Sequence, residues 1–247
     1  MRTIGIIPAR YESSRFPGKP LVDIGGKSMI QRVYEQVKGC ASLSEVVVAT
    51  DDSRIEEHVR SFAGNVIMTS STHQSGTDRC AEVISKIRGF DVAINIQGDE
   101  PFISPLQIEL LSNLFQDTTT EIGTLIKKID SSDDLFNESI PKVLINTKNE
   151  ALYFSRQTIP FQRGIRQDEW INNHVYFKHI GIYGYKIDVL QEITKLQVSS
   201  YERAEGLEQL RWLENGYKIK IAETEFDTIA VDHPADIELI KKKFFNA

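Results

Sequence analysis

The stretch Ile4-Gly5-Ile6-Ile7-Pro8-Ala9-Arg10-Tyr11-Glu12-Ser13-Ser14-Arg15-Phe16-Pro17-Gly18-Lys19-Pro20-Leu21 decides how the rest of the chain is read. Thr3 to Ile7 is short, apolar and β-branched, the pattern of a strand buried on both faces. Pro8 is expected to stop that strand, since proline cannot donate to a sheet ladder. A loop follows with Arg10, Arg15 and Lys19, opposed only by Glu12 and stiffened by Pro17 and Pro20. Loops at the carboxyl ends of parallel strands are where open α/β sheets bind ligands. Three cations there fit a polyanion such as a triphosphate, or equally a solvated basic loop.

Working outward, the strand–loop–helix rhythm repeats. Ser28 caps a helix carrying Ile30, Val33, Tyr34 and Val37 on one face. Val46–Ala49 is a second buried strand, and Ser53-Arg54-Ile55-Glu56 has the form of a capping box. Val66–Met68 is a third strand, followed by a polar loop from Thr69 to Thr77 and a helix with Cys80, Val83, Ile84 and Ile87. Val92–Ile96 is a fourth strand, ending at Gln97-Gly98-Asp99, and Ser104-Pro105 opens the next helix. Such alternation predicts right-handed crossovers and a mostly parallel sheet. Beyond it, candidate strands 123–129, 143–145 and 152–154 read as an antiparallel excursion. The run 162–173 is polar and irregular, and 180–185 returns to strand. Helices near 187–196 and 202–214, a strand at 218–222 and a helix from Pro234 complete the chain. The expected fold is α/β: a mostly parallel, nucleotide-binding, Rossmann-like sheet flanked by helices. It forms a single domain over 1–247, with an inserted antiparallel lobe at roughly 122–185.

Composition narrows the class. At 247 residues and 40% apolar content, the chain can bury one large α/β core. A net charge of −6 argues against a nucleic-acid partner. No signal peptide and no span of roughly 20 apolar residues is legible, so a cytoplasmic location without a membrane partner is expected. Cys40 and Cys80 lack metal or redox spacing and read as reduced core thiols. Gly26-Lys27-Ser28 imitates the end of a P-loop but lacks its leading glycine, because Leu21 stands there; no Gly-x-Gly-x-x-Gly follows the first strand.

Asp99 follows the apolar fourth strand beside Gly98, where a carboxylate can reach a hard cation or simply form a turn. Asp232, just before Pro234, reads by itself as a helix cap. His73 to Arg79 places hydroxyls, an amide and a guanidinium at a helix start, either an ordinary cap or a seat for acceptor atoms.

The ordered motif Ile-Pro-Ala-Arg-Tyr-x-Ser-x-Arg-x-Pro-Gly-Lys-Pro-Leu at 7–21 resembles the amino-terminal signature of the 3-deoxy-manno-octulosonate (Kdo) cytidylyltransferases, the CMP-Kdo synthetase family. The resemblance continues through His73–Arg79, Asn95–Pro101, His179–Tyr185 and Leu207–Arg211, and so covers essentially the whole chain. Phe16, His233 and Ala235 depart from the family pattern, and none is an expected ligand. Sialic-acid synthetases share the Pro-Ala-Arg opening but lack the Arg-x-Pro-Gly-Lys-Pro run found at 15–20.

The resemblance implies transfer of CMP from CTP to Kdo with release of pyrophosphate, for lipopolysaccharide synthesis. Pro8, Ala9, Arg10, Arg15, Lys19, Ser75, Gly76, Arg79 and Gln97 would bind the nucleotide, with the cytosine read by Ser75, Gly76 and Arg79. Gln97, Arg156, His179, Tyr183, Glu208 and Gln209 would hold the acidic eight-carbon sugar. Asp99 and Asp232 would hold Mg²⁺ together and, with Arg10 and Lys19, carry catalysis. A homodimer formed through the inserted lobe is implied too. An 8-amino-Kdo or other ulosonate cytidylyltransferase remains an alternative, as does a nucleotide-binding regulator without turnover.

Overall fold

Pro8 does not stop the first strand: β1 runs Thr3–Ala9. It pairs in parallel with β2 (Glu45–Thr50) along its length, Pro8 opposite Ala49. The reason lies on its other side. There β4 (Val92–Asn95) pairs only as far as Ile6↔Asn95, and Ile96 N–H donates to Ile6 C=O as the ladder ends. Residues 6 and 8 point their backbone polar groups the same way in a strand. The N–H that proline lacks would therefore face a ladder that has already finished.

The computed structural model describes residues 1–12, 16–227 and 229–245, in two compact units, Met1–Ser112 with Asp227–Ala247 and Asn113–Phe226. In the first unit β1 is followed by α1 (Met29–Lys38), β2, α2 (Ser53–Ser61), β3 (Val66–Met68), α3 (Gly76–Lys86), β4 and α4 (Pro105–Asn113). The strand order is β3-β2-β1-β4, all parallel. Helices cover both faces. Gly5 faces Val37 at the end of α1, while Pro8 and Asn95 face the start of α3. Ile4, Ile6 and Ile7 are wholly buried between these layers, each gaining about 1.5–3 kcal/mol over exposure. Cys40 and Cys80 are buried thiols, and neither is joined in a disulfide among the described residues.

One capping prediction is corrected. The Ser53–Glu56 box does not form, because Asp52 is the N-cap and its carboxylate accepts from Arg54 N–H at 2.9 Å. An ionised acceptor, also paired with the Arg54 guanidinium, displaces the hydroxyl from that role.

The second unit holds β5 (Ile122–Lys128), α5 (Ser132–Phe136), β6 (Lys142–Ile145), β7 (Ala151–Ser155), α6 (Trp170–Asn173), β8 (Phe177–Lys186), α7 (Ile187–Ile193), α8 (Ser200–Glu205), α9 (Gln209–Glu214) and β9 (Ile219–Glu223). β5 runs antiparallel to β8 and parallel to β9, while β6 runs antiparallel to β7 and β8. The expected lobe at 122–185 lies within this unit. Two element boundaries are corrected. The single helix expected over 202–214 is two, since Gly206 at φ +63° ends α8 in the left-handed conformation that glycine adopts cheaply. The irregular run 162–173 contains a short helix whose Trp170 is buried. Trp170 Nε1–H donates to Ile165 C=O, and the Gln162 amide ties Trp170 C=O to the Tyr176 hydroxyl. The chain then returns to the first unit through α10 (Pro234–Phe245). No helix among the described residues is long and apolar enough to cross a membrane.

Candidate active site

Lys19 is the centre of the first unit's site. Pro17-Gly18 turns the loop after β1 so that Gly18 N–H reaches Tyr11 C=O, and Lys19 opens a short 3-10 turn. Its Nζ lies 2.7 Å from Asp99 Oδ2, 2.8 Å from Val231 C=O and 4.0 Å from Asp232 Oδ1. Val231 N–H also donates to Asp99 C=O, which fastens the segment before α10 to the loop after β4. Two aspartates remote in sequence thus converge on one cation. The side chain that holds the start of α10 is Asp236, whose carboxylate accepts from both Asp232 and His233 N–H. These backbone bonds, His233 first, keep its pKa below the usual carboxylate value.

Gly98 makes the convergence possible. A Cβ there would lie 2.6 Å from the Pro8 carbonyl oxygen, so the Gln97–Asp99 loop packs against the end of β1 only without a side chain. Asp99 is followed by Glu100, buried, with Oε2 unpartnered among the described residues. Burial, with the Asp99 charge adding, pushes the Glu100 carboxyl up to about 8.

The loop before α3 is built around two carboxylates. Ser75 and Asp78 form a reciprocal capping box at its end. Glu82, nearly two turns into α3, accepts from Ser70 N–H at 2.8 Å, pairs with Lys86 at 2.6 Å, and hydrogen-bonds His73 Nε2. Burial works to raise the Glu82 pKa. The bonds from Lys86, Ser70 and His73, with the Lys86 charge, outweigh it and bring the carboxyl down to about 2. His73 C=O in turn accepts from the Arg10 guanidinium, so Glu82 is linked through the loop to a proposed phosphate ligand. Arg79 is wholly buried, paired with Asp51 at 3.1 Å and donating to Thr69 Oγ1, so its guanidinium braces the same loop from beneath. Pro8 and Ala9 close β1, and Arg10, Lys19, Ser75, Gly76, Arg79 and Gln97 lie on the loops and in the helix that follow β1, β3 and β4, all in this unit. Arg15 lies outside the described residues.

In the second unit, His179 and Tyr183 stand on β8. The His179 ring packs edge-on to Phe154 and 5.2 Å from Tyr183, and its Nε2 lies 3.1 Å from Thr124 Oγ1. Burial pushes His179 down to about 3 and raises Tyr183, with the Glu208 charge adding to the latter. Both are therefore neutral near pH 7, suited to sugar hydroxyls rather than to an ionic group. Gln209 is buried with Nε2 unpartnered among the described residues, and Glu208 precedes it at the start of α9. Arg156 Nε–H donates to Glu205 C=O at 2.7 Å and Nη1–H to Glu138 C=O at 3.1 Å. It thereby grips the turn that leads through Gly206 to Glu208 and Gln209. Arg156 also lines a cavity of about 530 Å³ with Glu138, Thr158, Phe161 and Trp170; His179, Tyr183, Glu208 and Gln209 do not line it.

Sequence reasoning passed over Asn95, Glu82, Asp51 and Asp236. For Asn95 a signal existed, a polar residue closing a strand otherwise apolar. The other three act through bonds that no spacing reveals.

A family model described as cytidylyltransferase matches residues 4–221. A 3-deoxy-manno-octulosonate cytidylyltransferase of Parabacteroides distasonis is 58% identical over 96% of both chains. One of Thermodesulfovibrio yellowstonii is 48% identical over 98% of both. The solved structure of a CMP:2-keto-3-deoxy-manno-octonic acid synthetase complexed with CTP superposes with a TM-score of 0.92 at 44% identity, covering 100% of this chain and 99% of that one. With full-length matches of this strength added to the motifs and the fold, the chain belongs to the 3-deoxy-manno-octulosonate cytidylyltransferases, a family of nucleotidyltransferases.

Proposed function

We propose that the protein transfers CMP from CTP to the anomeric hydroxyl of Kdo and releases pyrophosphate. The observation that carries this reading is the convergence of Lys19, on the loop after β1, and Asp99, after β4, with Asp232, which precedes α10. The hydroxyl oxygen attacks the α-phosphorus, the bond from that phosphorus to the bridging oxygen breaks, and the hydroxyl proton is released as the new bond forms. Little covalent work falls to the protein; positioning and charge stabilisation supply the rate. Arg10, held by His73 C=O, and Lys19 bind the phosphates and offset the charge of the departing pyrophosphate. Ser75, Gly76 and the loop braced by Arg79 seat the cytosine. Arg156 binds the sugar carboxylate with the guanidinium edge not spent on Glu205 and Glu138, and neutral His179, Tyr183 and Gln209 with Glu208 take hydroxyls.

Two carboxylates drawn to one cationic centre suit Mg²⁺, which takes one or two carboxylates and completes its shell with phosphate oxygens. Asp99 and Asp232 would hold it, and when bound it supplies charge neutralisation on the phosphates. A cytoplasmic homodimer serving lipopolysaccharide synthesis belongs to the same proposal. Leu152, Phe161 and Val175 are exposed apolar residues of the second unit, and we assign them to pairing, checked by sedimentation.

The test is pyrophosphate release across CTP, UTP and ATP against Kdo, 8-amino-Kdo and sialic acid. CTP with Kdo is expected to lead, and a fully polar base site rejects a wrong base by a factor of about 10⁴. Equal turnover with UTP would contradict the cytosine assignment, and preference for 8-amino-Kdo would move the substrate assignment.

A further inference from the structure

Asn95 closes β4 after Val92, Ala93 and Ile94. It is 6% exposed, its Oδ1 is buried, and that oxygen has no hydrogen-bond partner among the described residues. A buried amide oxygen without a partner destabilises the fold, so native proteins seldom retain one without a use. Its surroundings indicate the use. A Cβ built on Gly76 would lie 3.4 Å from Asn95 Nδ2, 3.6 Å from Oδ1 and 3.4 Å from Pro8 Cγ, so the amide is aimed at the first residue of α3. That helix is 11 residues long and begins at Gly76, so the amide faces a helix start, the end at which backbone N–H groups meet acceptor atoms. The Ser75 hydroxyl and Asp78 carboxylate are spent on each other's backbone N–H groups, which leaves Asn95 as the uncommitted amide there.

We propose that Asn95 contacts the nucleobase of the bound nucleotide, its amide hydrogen-bonding the polar edge of the cytosine. The inference rests on the CTP reading above and adds a base-binding residue to it. The chemistry is complementary: the amide carbonyl accepts from the exocyclic amino group while its NH₂ donates to ring N3. Because a primary amide can turn over, Asn95 contributes affinity for a pyrimidine edge.

The test is calorimetric binding of CTP and of inorganic pyrophosphate, which lacks a base, to the full chain and to Asn95→Leu. CTP affinity is expected to fall roughly 10- to 100-fold, in line with a lost hydrogen bond that leaves base atoms unpaired. Pyrophosphate affinity should stay within twofold. The thermal midpoint of the unliganded variant should hold or rise, since the orphan carbonyl oxygen is gone. Asn95→Ser, smaller and still polar, should show the same split with a lesser CTP loss if Asn95→Leu does not fold. Unchanged CTP affinity overturns the inference, and so does an equal fall for CTP and pyrophosphate, because Asn95 would then only shape the loop. Failure of the unmutated protein to bind CTP would instead overturn the underlying functional reading.

Discussion

At Gly98 the loop after β4 packs against the end of the first strand, and substitution there should separate folding from chemistry. In Gly98→Ala the new methyl would meet a backbone oxygen at 2.6 Å, and backbone cannot swing aside as a side chain does. A stability loss of about 1–3 kcal/mol is expected. Activity should fall further than the melting temperature suggests, because Asp99 moves with the loop. Thermal melts beside pyrophosphate-release rates check this, and wild-type rates would contradict it. Arg156 makes a second residue-scale prediction. Arg156→Ala should weaken sugar binding by roughly 10- to 150-fold, the value of a lost charge-assisted contact, while CTP affinity holds. Arg156→Lys should not restore it, because a point charge cannot bond the Glu205 and Glu138 carbonyls and a carboxylate at once. Calorimetry with each substrate decides. Of these residues, Asp99 stands in an ordered motif, Asn95–Pro101, whereas Arg156 stands in none and was reached only through the family resemblance. Glu82 and Asp236 were not, since an acidic residue on a helix reads as a solvated face until its partners are known.

At the scale of the element, caps decide where helices stand, and two of them bear on the site. Gly206 ends α8 and lets Glu208 and Gln209 begin α9. Gly206→Ala forces a Cβ into the left-handed region at a cost of about 1–2 kcal/mol. We expect a lower melting temperature together with a raised KM for the sugar and an unchanged KM for CTP. The sequence showed one helix over 202–214 because its apolar spacing is nearly continuous; the break is set by backbone conformation alone. The loop before α3 gives the pH prediction. Glu82 is held at about 2 in the fold and returns to its ordinary value near 4.5 when unfolded. A depressed carboxyl stabilises fully above the unfolded pKa and loses that contribution as pH falls through the folded one. Stability should therefore drop between about pH 4.5 and pH 2, and Glu82→Gln should flatten that part of the curve. Urea melts across the window test it, and an unchanged slope in the variant would assign the acid sensitivity to other groups. The same variant should raise the KM for CTP, because Arg10 depends on the His73 carbonyl.

For the molecule as a whole, the fold class was readable because a doubly covered parallel sheet leaves short apolar strands separated by amphipathic helices. What spacing could not give was proximity between distant segments. Asp232 reads locally as a cap, yet Asp236 holds the helix start and Asp232 faces Lys19. The central claim is that Asp99 and Asp232 serve one ion at one reaction centre. The measurement that addresses it most directly is Mg²⁺-dependent pyrophosphate release by Asp99→Asn, Asp232→Asn and the double variant. Each single change removes a charged oxygen while keeping the side chain's shape, and should cost at least the roughly 10- to 100-fold typical of an outer partner of a metal site. Because both act on one ion, the double variant should fall well short of the product of the single losses. Full activity in Asp232→Asn, or losses that multiply in the double variant, would contradict a shared ion.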